Sequence, residues 1–373
     1  MLGFFEANTD KSAQGYIADL NTLIKQPEVE IPVMSDNCAT MKKVGKISKR
    51  FKKVNCAAHM LAKIDDKLHK IPQIEKLDSC LSKLNAYFNY RHDRFDLPLK
   101  PQTSKSTTRA WRSHQENYRV TLRNFERYEE LYVSLADFPT LPDKTLLRRI
   151  AEIEKQLCDS FTTLENKNSD LLDQMKCYVN VFKLSKQNCC LSIFGDKLTE
   201  IMQMPSTIDG FLGEDTLAYC YLSKLDFEFA FADCPHLNPQ NLLEKAKMRI
   251  RALIKQHQTE PDQIVYVEAS EDEDEFFKMP QNESSGDQPE TCVFQKFEDK
   301  GFMHKKNKFW LAYKSEMPLL FAVYVSLRSI PASNSSIERS FSIAGLIFDD
   351  LKSSTSPESI EAQITLCIDK SLK

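Results

Sequence analysis

Four short stretches hold residues whose types and spacing could do chemistry. Pro331 to Gly345 reads Pro-Ala-Ser-Asn-Ser-Ser-Ile-Glu-Arg-Ser-Phe-Ser-Ile-Ala-Gly. Within it Ser335-x-x-Glu338 has the form of a capping box, in which a hydroxyl and a carboxylate satisfy the orphan amides of a helix start. Ile337, Phe341 and Ala344 would give that helix an apolar stripe. Cys56-x-x-His59 has a spacing that can place two ligands on one metal ion. Zinc takes four ligands, however, and no second pair follows at a suitable distance. Cys80 and His92 are loosely placed, and His69 lies further down the same helical pattern, so a structural role is the simpler reading. Met41 to Lys53 carries seven basic residues and no acid. Such a run serves either as a solvated face or as a patch that neutralises phosphates. Lys100, Lys105, Arg109 and Arg112 flank Trp111, an arrangement that suits stacking on an unpaired base as well as ordinary packing.

The elements that must position these residues are mostly helical. Apolar spacing predicts helices over 12–25, 56–90, 111–135, 143–166, 171–182, 241–257 and 317–328. A further helix is expected over 336–351, and a last one after Ser356-Pro357. Glu28 to Met34 reads as a short buried strand ending at Ser35-Asp36-Asn37. Residues 100–108 read as a polar loop, and no fixed-period repeat is visible.

Composition narrows the classes. The chain has 373 residues, 42% hydrophobic and 28% charged, enough for one large domain or several ordinary ones. Only 9 are Gly, and neither Gly-rich nucleotide fingerprint occurs, so a dinucleotide or P-loop fold is not expected. The longest wholly apolar run, Met317 to Val325, is too short to span a bilayer, and no signal peptide opens the sequence. Eleven cysteines without framework spacing read as reduced thiols. From Glu268 to Glu290 there are nine acidic residues and one Lys, which leaves the rest of the chain mildly basic. That segment cannot bury enough apolar surface to offset ordering and is expected to be a disordered linker.

The C-terminal residues resemble the dimerisation region of hAT-type transposases, the hobo and Activator superfamily. Phe309-Trp310, Pro318-Leu319, Ile330-Pro331-Ala332-Ser333, Glu338-Arg339, Phe341-Ser342 and Ala344-Gly345 carry the likeness, with Ser356-Pro357-Glu358 and Glu361 following. Upstream, Val33-Met34-Ser35-Asp36-Asn37 is similar to the family's strand ending in T/S-D-N. Cys56 to Leu61 is similar to its C-x-x-H-x-L motif, and Thr108 to Ser113 to its T-R-W-N-S motif with one residue inserted.

The resemblance implies a mainly α chain with a small α/β remnant, a truncated ribonuclease H-like core interrupted by a large helical insertion. The expected parts are a partial core at 1–110 without its first strands, a helical insertion at 111–265, the acidic linker at 266–291, and a dimerisation region at 292–373 that completes the core. It further implies metal-assisted phosphoryl transfer, in which two Asp and one Glu hold divalent cations. Asp36 corresponds to the second Asp and Glu338 to the Glu, and these two would hold Mg²⁺ or Mn²⁺ if activity survives. The first Asp has no counterpart: Asp10 reads as a helix N-cap, and Asp19 lies within a helical pattern. No Cys or His precedes Cys38, so the family's zinc-binding DNA domain has no counterpart either.

The expectation is a transposon-derived protein that self-associates and binds DNA weakly, without transposase activity and in the nucleus, with the cytoplasm as the alternative. The rival readings are an active transposase seen as a truncated gene model, and a helical adaptor that touches no nucleic acid. Candidate DNA contacts are Lys42, Lys43, Lys49, Arg50, Lys52, Lys53, Arg109, Trp111 and Arg112. Cys56 and His59 are expected to shape the pocket. Trp310, Leu319, Leu320, Phe321, Tyr324 and Phe341 are expected at the dimer contact, because Met317 to Arg328 is apolar nearly all round and must be buried. No membrane partner is expected.

Overall fold

A computed structural model describes residues 12–23, 30–36, 39–88, 95, 97, 110–166, 168–187, 192–259, 290–300 and 306–334. It is mainly helical with one two-stranded sheet among these residues. In chain order the elements are α1 (Ala13–Leu23), β1 (Ile31–Ser35), α2 (Ala39–Ile47), β2 (Phe51–Asn55), α3 (Ala57–Leu68), α4 (Pro72–Phe88) and α5 (Ala110–Ser134). They continue with α6 (Lys144–Leu164), α7 (Leu171–Gln187), α8 (Ser192–Gln203), α9 (Pro205–Phe211), α10 (Glu214–Leu222), α11 (Phe227–Ala230) and α12 (Pro239–Thr259). The last three described helices are α13 (Glu290–Asp299), α14 (Lys306–Tyr313) and α15 (Pro318–Arg328). No described helix is long and apolar enough to cross a membrane. The expected acidic linker and the two helices expected after residue 335 lie outside the described residues.

The chain divides into two compact units. The first takes residues 1–59, 164–176 and 208–373, and the second takes 60–163 and 177–207. These cuts fall elsewhere than the expected boundaries near 110 and 265, because the chain leaves the first unit after α3 has begun and returns to it twice.

The first unit opens with a parallel pair. β1 runs beside β2 in the register Ile31↔Phe51 to Ser35↔Asn55. Parallel neighbours need a crossover, and α2 supplies it. Val44 of α2 and Phe51 of β2 are 1% exposed and pack with Ala13, Ile17, Leu20, Ile31, Val33 and Met41. The helix comes close to the strand at Gly45, where an added Cβ would stand 2.9 Å from the Lys53 Cβ. The basic run expected only as a surface thus forms both a helix and a strand. Lys52 and Lys53 hide the strand's apolar alternation, since only Phe51 and Val54 of β2 are buried.

The rest of this unit is built around α10, buried from Asp215 to Leu222, with α12 and α15 against it. Trp310 is fully buried, stacked on Phe297 at 5.8 Å and on Tyr324 at 5.0 Å between ring centroids. Its indole N–H donates to the Leu222 carbonyl at 3.3 Å, which gives the polar edge of a large buried ring its partner. α10 ends in a Schellman arrangement: the Leu225 N–H donates to the Cys220 carbonyl and the Lys224 N–H to that of Tyr221. The left-handed position is occupied by Lys224, φ 58°, where Gly would be usual. Its ammonium explains the choice, because it donates to the carbonyls of Phe297 and Lys300 at the end of α13 and lies 3.9 Å from the Phe297 ring centroid. Cations are favoured where helix carbonyls have no intrahelical donor.

The second unit's regular elements are all helices among its described residues. α4, α5 and α8 lie wholly within it, with most of α3, α6 and α7. Leu61, Leu81, Tyr118, Leu147, Ile153 and Phe182 are fully buried, and Phe88 stacks on Tyr128 at 5.0 Å. Asp143 caps α6 by accepting from the N–H groups of Thr145 and Leu146. The single helix expected over 56–90 is two helices, because Pro72 opens a new one after the turn at 69–71.

Two outcomes follow from this packing. Gly45→Ala ordinarily gains about 1 kcal/mol within a helix, but here the new methyl meets the Lys53 Cβ, which no rotamer change can move because it is fixed by the strand backbone. Urea unfolding should show the variant less stable than wild type; a gain would mean α2 does not rest on β2 as described. Burial pulls the Lys224 ammonium from its ordinary 10.5 down to about 8. Below pH 8 both states hold the proton and the cost of burying the charge is complete. Between pH 8 and 10.5 the folded chain releases it first, so stability should rise with pH relative to Lys224→Met. A difference that stays flat across this window would remove the claim.

Candidate functional site

The chemistry expected from the sequence centres on Asp36, which directly follows the last residue of β1. Here the end of a parallel pair meets the start of a helix, the place where ligands bind in open sheets of parallel strands. The Cys56 N–H donates to the Ser35 carbonyl at 3.1 Å and turns the chain from β2 into α3. The next amide, Ala57 N–H, donates to the Ala332 carbonyl at 3.0 Å. The Cys56 thiol, 2% exposed, donates to Asn334 Oδ1 at 2.9 Å. His59 follows on the first turn of α3, half-buried.

The segment from Pro331 to Asn334 is held from its other side as well. Ala332 N–H donates to the Ser169 carbonyl at 3.2 Å, Ser333 Oγ donates to the Leu164 carbonyl at 2.8 Å, and Pro331 bridges Asp170. Three stretches singled out in the sequence, 33–36, 56–59 and 330–334, therefore meet within one unit. Glu338, expected as the third participant, and Phe341 lie outside the described residues, as does Arg109. Trp111 and Arg112 lie on α5, with their side chains outside the described portion.

The basic run divides by environment. Lys42, Lys43 and Lys46 on α2 and Lys49 after it are exposed. Lys52 points its ammonium at Glu214 Oε2, 3.1 Å away, and Asp215 Oδ1, 3.4 Å away. Asp215 is buried and also accepts from Arg249 Nε at 2.6 Å, while the same guanidinium reaches Glu30. Lys53 donates to Asn55, and the Arg50 guanidinium lies over the Phe51 ring and reaches Asn21. Lys52, Lys53 and Arg50 thus have partners within the fold, which sequence spacing could not show.

Most of the expected dimer contacts lie in the core of the single chain. Trp310, Leu320, Phe321 and Tyr324 are each 0% exposed within a single chain, and only Leu319 is half-buried. The requirement that this helix be buried is met by α10, α12 and α14 of the same chain rather than by a second copy. Among the described residues of this segment, the exposed large apolar one is Leu311, at 44%.

A second constellation, in the helical unit, went unread in the sequence. His69 stands among Asp65, Asp78 and Glu154, with His114 and Tyr118 alongside. Burial pulls the His69 imidazole down, but the hydrogen bonds it donates to the three carboxylates overcome this and raise it to about 12. Burial pushes the Glu154 carboxyl up, against the pull of His69, and burial with His69 nearby lowers His114. Asp65 and His69 are four apart, one face of a helix, and that spacing was the available signal. Asp78 and Glu154 come from other helices, which no local pattern announces.

Among known proteins, residues 304–369 match the family model described as the hAT family C-terminal dimerisation region. No curated protein matches the chain. The match covers α14, α15, the break at 330–332 and the residues beyond. Residues 304–369 of this chain are thus similar to the hAT family C-terminal dimerisation region.

Proposed function

We propose that the chain is a transposon-derived protein that self-associates through its C-terminal region and touches DNA through the exposed face of α2. The observation that carries the first part is the match of residues 304–369 to a region named for dimerisation. Because Trp310, Phe321 and Tyr324 serve the core of their own chain, the contact between copies falls to Leu311 and to residues after Asn334. The N-terminal strand pair would be a ribonuclease H-like remnant. That reading is supported by the parallel β1–β2 pair, by Asp36 at its end and by the docking of 330–334 beside it. On this reading Asp36 and Glu338 are the surviving carboxylates of a triad. They are hard oxygen donors fit for Mg²⁺ or Mn²⁺, but two ligands hold such an ion poorly, and the chain is inactive as a transposase. A nuclear location goes with contact to DNA.

Sedimentation velocity on the full chain tests self-association. The expected species is a dimer of the 43.0 kDa chain; a single monomeric species at tens of micromolar would overturn it. DNA contact is tested by affinity for duplex DNA across a salt series. Replacing Lys42, Lys43 and Lys49 together by Ala should reduce the log–log salt slope by about 2–3. Lys52→Ala should leave it nearly unchanged, since two carboxylates already hold that ammonium. Absence of binding at low salt would leave the adaptor reading in its place.

A further inference from the structure

We propose that Asp65, His69 and Glu154 form a binding site for one divalent transition-metal ion inside the helical unit, with Zn²⁺ as the probe. The inference is independent of the strand-end carboxylates and of self-association.

The geometry starts from the orientation of His69. Its Nδ1 lies 2.7 Å from Asp78 Oδ2, and Asp78 Oδ1 accepts from the Tyr118 hydroxyl at 2.6 Å. Asp78 is thus anchored before it meets the imidazole, and it fixes the proton on Nδ1. This is the carboxylate–histidine pairing that orients metal-ligating imidazoles and makes them more basic. The Nε2 lone pair then points at two carboxylate oxygens, Glu154 Oε1 at 3.2 Å and Asp65 Oδ1 at 3.5 Å. Three electron-rich atoms facing one another repel unless something positive stands between them.

A proton on Nε2 satisfies this only in part. The 3.5 Å separation to Asp65 is too long for a good hydrogen bond. Asp65 Oδ1 and Glu154 Oε2 are both buried without a hydrogen-bond partner. An imidazolium would also leave three carboxylates around one positive charge, although the side chains of Asp65 and Glu154 are only 3% and 1% exposed. Buried carboxylates without compensation are costly.

A divalent ion answers each of these points. Zinc sits about 2.0–2.2 Å from nitrogen and oxygen ligands, so tetrahedral neighbours stand about 3.4 Å apart. The observed 3.2 and 3.5 Å bracket that edge. Two carboxylates and a neutral imidazole bring a charge of minus two to a dication, which closes the balance in a dry setting. The candidate ligand atoms all lie within 4.8 Å of one another, with Asp65 and Glu154 buried and His69 half-buried. One imidazole with two carboxylates suits zinc or manganese better than the soft, thiolate-loving ions.

The test uses the full chain, produced with added Zn²⁺ and purified without chelator. Elemental analysis should find about one zinc per chain, and stripping it should lower the melting temperature. Glu154→Gln and Asp65→Asn should each lose the metal, whereas Asp36→Asn should retain it and so separate this site from the strand end. Apo Glu154→Gln should melt no lower than the apo wild type, because a repelling charge is gone. X-ray absorption on the zinc-loaded wild type, which needs no variant to fold, should show nitrogen and oxygen neighbours. A metal-free chain whose melting ignores Zn²⁺ and chelator would overturn the proposal, leaving a purely ionic cluster around protonated His69. Metal retained unchanged in both variants, or a sulfur shell in the absorption spectrum, would overturn it equally.

Discussion

The first amides of a helix have no partner inside the helix, and at α3 one of them is satisfied from the far end of the chain. The Ala57 N–H donates to the Ala332 carbonyl, and the buried Cys56 thiol one residue earlier donates to Asn334. An N–H group left bare here would sit beside a fully buried alanine, where an unmade hydrogen bond is costly. This constraint draws residues 330–334 to the end of the strand pair and places them next to Asp36. Leu164 and Ser169 hold the same segment from behind.

The same region shows why a burial requirement does not name the partner. α15 is apolar on nearly every side, and a second copy of the chain would have covered it adequately. Instead α10, itself buried along its length, and α12 close over it, and Trp310 finds both stacking partners and a carbonyl within the chain. Among its described residues, a region named for dimerisation thus spends most of its large side chains on its own fold. Leu311, in contrast, is exposed.

Charge is distributed by the same logic in both units. Asp215 is buried because Lys52 and Arg249 reach it from separate elements. Asp65 and Glu154 are buried around a histidine whose proton position Asp78 and Tyr118 dictate. The first arrangement has two cations for one carboxylate, with Glu214 and Glu30 completing the balance. The second has an excess of carboxylates, and that imbalance is what distinguishes a potential ligand cage from an ordinary ion pair.

Much of the helical content was legible from apolar spacing, as were β1, the position of Asp36 at its end and the break at Ile330-Pro331. Helices α1, α5, α6, α7, α12 and α15 lie close to where the periodicity puts them, because a repeat of 3.6 residues is a local property of the chain. β2 was not legible, since Phe-Lys-Lys-Val-Asn becomes a strand only by pairing with β1 across a crossover. The turn before Pro72 was visible in the residue type and was overridden by the longer apolar pattern. Sequence alone determined which faces must be covered and in what order the motifs come. Tertiary structure decided what covers them, which of seven cations stay exposed, and that His69 meets Asp78 and Glu154. Those outcomes depend on residues far apart in the chain, whose proximity is fixed only when the helices pack.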